Sequence, residues 1–291
     1  MDKVPALFIN SVLSVSRLSI MKEVLELSSH SWNRLAAKQL KQRKDWTLCF
    51  FQRGKEYFGY LEKYQKSLME FVSFQEFAKT DPTLNQITGI WFDGPFRLPY
   101  GEEITSKSTK ITSKQDVKRL ERLFFSRINY DALYVLKMDT TDNLGLHSAI
   151  LHHLVDKKIE IPQLYLKYDN PDSTELLKRL VQTKGITDMT MHGEWPQEST
   201  VPLIEAVVLQ RQLRDICCAA TINVSESFFT SLVEEWRNDS SPEDKQVIFR
   251  GIKTEPPFAC VVHHHPNLKD RLEVTAANNS ITIKTTLKMW L

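Results

Sequence analysis

Glycine is scarce in this chain, with nine in 291 residues, and none opens a strand-to-helix turn that could cradle a phosphate. There is no Gly-Lys-Ser/Thr loop and no Gly-x-Ser-x-Gly elbow. These absences argue against a nucleotide-binding α/β enzyme and against a serine hydrolase. Cysteine is equally sparse. Cys49, Cys217, Cys218 and Cys260 show no metal-ligand spacing and sit in apolar, strand-like surroundings, as free thiols of a reducing compartment do. A cytoplasmic or nuclear location is the expectation. No apolar run approaches a membrane span. Met1-Asp2-Lys3 leads into an amphipathic stripe rather than a signal-peptide core, so no membrane partner is expected. The net charge of +2 exerts no general pull on nucleic acid.

Apolar content, in contrast, is ample. Hydrophobic residues make up 42% of the chain, with six tryptophans and 15 phenylalanines, enough for a small module and one larger domain. The first forty residues carry the clearest pattern. After Pro5, which suits the start of a helix, Phe8, Ile9, Val12, Leu13 and Val15 recur at three- and four-residue steps. Ile20, Met21, Val24, Leu25 and Leu27 form a second unit. Ser28-Ser29 offers a cap for a third, carrying Trp32, Leu35, Ala36 and Leu40. Three short helices cannot bury all this surface alone. They need either another chain or the rest of this one.

The pattern Val4-Pro5, Phe8-Ile9, Val12-Leu13, Leu18, Val24-Leu25 and Trp32-x-x-Leu35 resembles an F-box. The opening Met1-Asp2-x-Val4-Pro5-x-x-Phe8-Ile9-x-Ser11-Val12 resembles, more closely, the nematode-expanded family of F-box and F-box-associated proteins. That resemblance spans residues 1–42 and continues thinly downstream, where Gly193-Glu194-Trp195-Pro196 is similar to the family's Gly-x-Trp-Pro turn. The chain departs from many F-boxes at Arg17-Leu18-Ser19-Ile20, where they carry a second Leu-Pro. The resemblance implies a substrate receptor. Pro5, Phe8, Ile9, Val12, Leu13, Leu25 and Trp32 would meet a Skp-type adaptor and, through it, a cullin, while the C-terminal domain selects an unknown target protein. The alternative is an interaction scaffold whose helical leader is only a structural cap.

Downstream the chain reads as α/β. Thr47–Phe51 and Tyr57–Leu61 flank Arg53-Gly54 as a β-hairpin, and Ile87–Phe92 reads as a strand. A polar stretch near 99–113 comes next. Strands and helices then alternate, with strand centres near Val135, Leu166, Thr190, Cys218 and Ile248, a period of 24 to 31 residues. This spacing predicts a leucine-rich-repeat-like strand–helix solenoid with parallel strands, although the strict leucine and asparagine consensus is absent. Alternation such as Tyr134/Leu136/Met138 against Val135/Lys137 predicts one face under helices and one facing solvent. Short strands at 258–264, 272–276 and 280–286 predict an antiparallel C-terminal cap. The expected organisation is thus an F-box-like module over 1–45, a hairpin and connector over 46–80, and a recognition domain over 81–291.

Candidate chemistry is thin. Cys260 with His263, His264 and His265 reads as a strand or turn rather than a zinc site. Asp139, Asp142 and Asp169 come just after strand ends, where they serve as helix N-caps and turn formers. No catalytic residue, metal or cofactor is expected. Lys107, Lys110, Lys114, Lys118, Arg119, Arg122 and Arg127 crowd one segment, either as a solvated helix face or as a patch for an acidic or phosphorylated target. Nucleic acid is a weak candidate there, because aromatic residues are confined to Phe124-Phe125. Target contacts are expected on the open strand face, around Lys137, Lys167, Thr190 and His192.

Overall fold

The computed structural model describes residues 4–16, 18–65, 68–95, 101–220, 222–250, 261–266, 271–277 and 280–286. The chain is mixed α/β, with ten helices and thirteen strands among these residues. It divides into two compact units, 1–160 and 161–291.

The first unit begins with three helices, α1 (Ala6–Val15), α2 (Leu18–Val24) and α3 (His30–Gln42). They share a core of Ile9, Leu13, Met21, Leu35 and Ala36, with Val4, Val24, Trp32 and Leu40 packed against it. Fully burying one such aliphatic side chain stabilises by about 1.5–3 kcal/mol. Five of them make a small core, so the attachment to the rest of the unit matters.

Two polar side chains supply that attachment. The Arg43 guanidinium, buried at the end of α3, donates from Nη1 to the carbonyls of Leu13 at 3.2 Å, Ser14 at 3.2 Å and Ser16 at 2.6 Å. A cation on the orphan carbonyls of a helix C-terminus satisfies acceptors and the helix dipole together. Arg43 Nε also donates to Asp45 at 2.8 Å. Burial raises the Asp45 carboxyl above its ordinary range, and the charge of Arg43 opposes that rise. Asn129 Nδ2 donates to Ser14 O at 3.1 Å.

The sheet of this unit comprises β1 (Lys44–Arg53), β2 (Glu56–Gln65), β3 (Leu68–Val72), β4 (Asn85–Pro95), β5 (Thr109–Ile111) and β6 (Val135–Met138). β1 and β2 form the expected hairpin, turning at Gly54 with φ +64°. β4 lies parallel between β1 and β6, and residues 81–160 fall in the same compact unit as the hairpin. The strand order is β6-β4-β1-β2-β3, with β5 also on β2. The helices α4 (Phe74–Ala78), α5 (Gly101–Lys107), α6 (Lys114–Phe124) and α7 (Leu146–Val155) complete the unit. The polar stretch therefore contains a helix and a short strand, while residues 99–100 lie outside the described residues.

Both faces of β1 are buried. One face presents Trp46, Leu48 and Phe50 to α4 and α6. Trp46 meets Phe77 edge-on at 5.8 Å, Phe50 meets Phe74 at 6.2 Å, and Phe74 meets Phe124 at 4.8 Å. The other face packs Cys49 and Phe51 with Tyr60, Phe71 and Ile104 of α5. The expected alternation fails at β6, where Tyr134 just before it is 41% exposed and Val135 is buried. Gly89 explains the burial of Val135, because a Cβ there would stand 2.9 Å from Val135 Cγ1. Gly59 is the tighter case, since an added Cβ would lie 2.4 Å from Phe74 Cζ and 2.9 Å from Phe50. Gly59→Ala is therefore expected to destabilise by about 1–3 kcal/mol through overpacking. Urea denaturation measures this, and an unchanged midpoint would show that Phe74 gives way freely.

The second unit alternates β7 (Gln163–Lys167), α8 (Pro171–Thr183), β8 (Asp188–His192), α9 (Gln197–Val208), β9 (Asp215–Cys218), α10 (Glu226–Asn238) and β10 (Gln246–Arg250). These four strands are parallel neighbours in chain order. Leu164, Leu166, Met189, Met191, Ile216, Cys218, Val247 and Phe249 are buried on one face, and Phe228 and Phe229 of α10 meet Phe249 edge-on at 6.2 Å each. The unit ends in antiparallel strands β11 (Val261–His264), β12 (Arg271–Ala277) and β13 (Ser280–Thr286), with β13 along the edge of β10. The antiparallel strands anticipated from the sequence at the C-terminal end are present, although residues 258–260 lie outside the described residues.

Just before β10, Lys245 Nζ donates to the carbonyls of Val208 at 2.7 Å and Gln210 at 3.0 Å, closing the end of α9. Burial pulls its ammonium down from 10.5 to about 8. Between those values the unfolded chain holds a proton that the folded chain has released, so this group makes stability rise with pH across that window. The neutral amine keeps donors for both carbonyls. Lys245→Met is expected to flatten the rise between pH 8 and 10, read from urea midpoints. An equal slope in both proteins would assign it to other groups.

Candidate functional site

Two surfaces stand out, one in each unit. On the helical module, Leu7 is 84% and Phe8 57% exposed, and Val15, Ile20, Leu25 and Leu27 are each more than a third exposed. They are six of the nine large apolar side chains exposed among the described residues. Scattered exposed leucines need no explanation, but such concentration in one small module marks an interaction surface. Phe8, Val12 and Val15, at steps of four and three, form one stripe of α1. It runs beside the Ile9/Leu13 stripe, which faces the module's own core.

The residues expected to meet an adaptor thus fall into two groups. Pro5, Phe8 and Leu25 are exposed, and Val12 and Trp32 are half-buried. Ile9 and Leu13 are at most 1% exposed, so they hold the module together and present no surface to a partner. Leu7, Val15, Ile20 and Leu27 belong to the exposed set but were not among the expected adaptor contacts. Spacing placed Val15 on an apolar stripe, but no sequence signal fixes which stripe of α1 turns inward.

The second surface is the half-buried face of the second unit's sheet, opposite its fully buried one. In register across it stand Gln163, Asp188, Asp215, Gln246, Lys284 and Glu273. A neighbouring row places Tyr165, Thr190, Cys217, Ile248, Thr282 and Thr275 side by side. Lys167 pairs with His192. Of the expected target-contact residues, Lys167, Thr190 and His192 therefore share this face and are half-buried. Lys137 belongs to the first unit. Its ammonium lies 2.6 Å from Asp93 and 3.5 Å from Asp139, and 5.7 Å from the Trp91 ring centre. Burial works against that charge, but the two carboxylates win and hold the ammonium above its ordinary value.

The Gly193-Glu194-Trp195-Pro196 turn ends β8. Gly193 takes φ +88°, which an L side chain rarely adopts. That turn lets Trp195 bury itself, with its Nε1 donating to His192 O at 2.8 Å and its ring 5.3 Å from Tyr168. The motif thus closes the end of this half-buried face next to Lys167 and His192.

Other candidate chemistry resolves into structure. Asp142 accepts from the backbone N–H groups of Leu144, Leu146 and His147 and caps α7. Asn170 caps α8 through Asp172 N. His153 packs its ring 4.4 Å from Phe125 and bonds the Tyr130 hydroxyl, so it faces the turns before β6. His265 is buried, 2.9 Å from Asp239 O and edge-on to Trp236. Cys260 lies outside the described residues. Burial raises the Cys49 thiol well above its ordinary value and lifts Cys218 to about 12, so both stay protonated and poorly nucleophilic. Among the described residues, no helix is long and apolar enough to cross a membrane.

No protein-family model, curated protein or solved structure matches the chain.

Proposed function

We propose that this chain is the substrate-recognition subunit of a Skp–cullin–F-box type ubiquitin ligase. In that reading the three N-terminal helices are the F-box. The strand–helix repeat of the second unit is the leucine-rich-repeat-like receptor for a target protein. One observation carries the proposal: an apolar surface on a module that has its own core and is tied to the sheet by Arg43 and Asn129 rather than by that surface. A purely structural cap would turn Phe8, Val15 and Leu27 inward, so their exposure favours docking over capping. The chain itself then supplies proximity, bringing a bound target to a ubiquitin-charged enzyme.

The test is co-elution of the purified chain with a purified Skp-type adaptor in gel filtration at micromolar concentration. A stable one-to-one complex is expected. Separate elution of two folded proteins would reduce the chain to an interaction scaffold.

A further inference from the structure

A groove in the first unit shares no residue with either of these surfaces. It holds about 360 Å³, within the range of roughly 300–1,000 Å³ typical of ligand sites. Its floor is apolar, made by Phe74 and Ala78 of α4, Ile111 of β5, and Leu120 and Leu123 of α6. Leu123 is 39% exposed, although most apolar side chains of α6 face the core. The rim is basic, carrying Lys79, Lys110 and Arg119.

The acidic groups nearby are already engaged. The Asp116 carboxylate accepts from the backbone N–H and hydroxyl groups of Thr112 and Ser113, locked in the capping box that starts α6. Glu56 pairs with Lys110, and Glu76 with Lys107. Lys79 and Arg119 are exposed and form no ion pair among the described residues, and Lys114 and Lys118 extend the same charge along α6. One wall of the groove is β5, which pairs with β2 alone among the described residues. An extended segment can add to such an edge through its backbone.

An apolar floor, a basic rim and an open strand edge together define an occupant. We infer that this groove binds an extended acidic peptide segment, anchored by one bulky apolar side chain between aspartates or glutamates. The apolar side chain seats between α4 and α6, and the flanking carboxylates meet Lys79 and Arg119. The inference rests on the receptor reading only in making this peptide part of a target.

A random dodecapeptide phage library panned on the immobilised full chain tests it, with the best peptide then labelled for fluorescence anisotropy. Enriched peptides are expected to carry a bulky apolar residue flanked by at least two acids. Leu123→Glu, and separately Arg119→Glu with Lys79→Glu, should each weaken binding tenfold or more while leaving the circular dichroism spectrum and melting temperature unchanged. All these positions are solvent-exposed, so folding is not at stake. The inference is overturned if nothing is enriched, if enriched peptides lack acids or the apolar anchor, or if folded groove variants bind like wild type. Tighter binding by a labelled uridine dodecamer than by the best peptide would likewise overturn it. Adaptor co-elution is read separately, so a peptide that binds a chain ignoring the adaptor sinks only the ligase reading.

Discussion

Phe8→Asp combined with Val15→Asp is expected to abolish adaptor binding while leaving the chain folded. Both side chains stand on the outer stripe of α1, 57% and 44% exposed, so substitution costs about 0.5 kcal/mol at each, with about 1 kcal/mol more for an Asp at the C-terminal end of α1. A bulky apolar anchor at the centre of an interface is worth about 2 kcal/mol or more. Two anchors replaced by charges should then cost at least about 4 kcal/mol, close to a thousandfold in affinity. Isothermal titration calorimetry against the adaptor reads the loss, and thermal melting checks the fold. Leu13→Asp is the instructive contrast. It would also lose binding, but by placing a carboxylate in the core of Ile9, Met21, Leu35 and Ala36, and its helices would melt. Wild-type affinity in the folded double variant would exclude this face of α1 from the interface.

Arg43→Ala should be strongly damaging although it removes no apolar side chain from the core. The guanidinium side chain is fully buried, it closes three carbonyls at the end of α1, and it neutralises Asp45. Removing one partner of a buried pair costs about 3–5 kcal/mol, because the remaining charge stays desolvated. The three carbonyls lose their donor as well. Arg43→Lys should recover only part of the loss, since one ammonium cannot reproduce a planar fork serving carbonyls and carboxylate together. Hydrogen exchange gives the decisive pattern. Amides of α1, α2 and α3 should exchange faster, with those of β7 to β10 unchanged. Uniform protection throughout would show that the helical core holds its place without Arg43.

How much of this was legible in the sequence depended on the kind of signal. The second unit was read best where β7 and β8 alternate and α8 and α10 carry a 3.6-residue stripe. Leu164/Leu166 against Tyr165, or Met189/Met191 against Thr190, state their faces outright. The first unit was read less well for the same reason inverted. Trp46 to Phe51 is a nearly continuous apolar run, which announces burial on both faces but not which elements supply the covers. One of those covers, α5, arises in a polar stretch with little periodicity.

The N-terminal module shows the limit most clearly. Its composition determined that three short helices form and that they carry more apolar surface than they can bury together. Both stripes of α1, Ile9 with Leu13 and Phe8 with Val15, are equally apolar, so the sequence held no preference between them. Tertiary structure decided it. Arg43 and Asn129 grip the C-terminal carbonyls of α1 from residues 27 to 115 positions away, and that grip, with the packing of α3, sets the rotation that leaves Phe8 outside. The acidic-peptide groove has the same origin. Its lysines and arginine were visible as a basic run, but the cavity exists only because Phe74, Ile111 and Leu123, separated along the chain, are brought together by the pairing of β5 with β2.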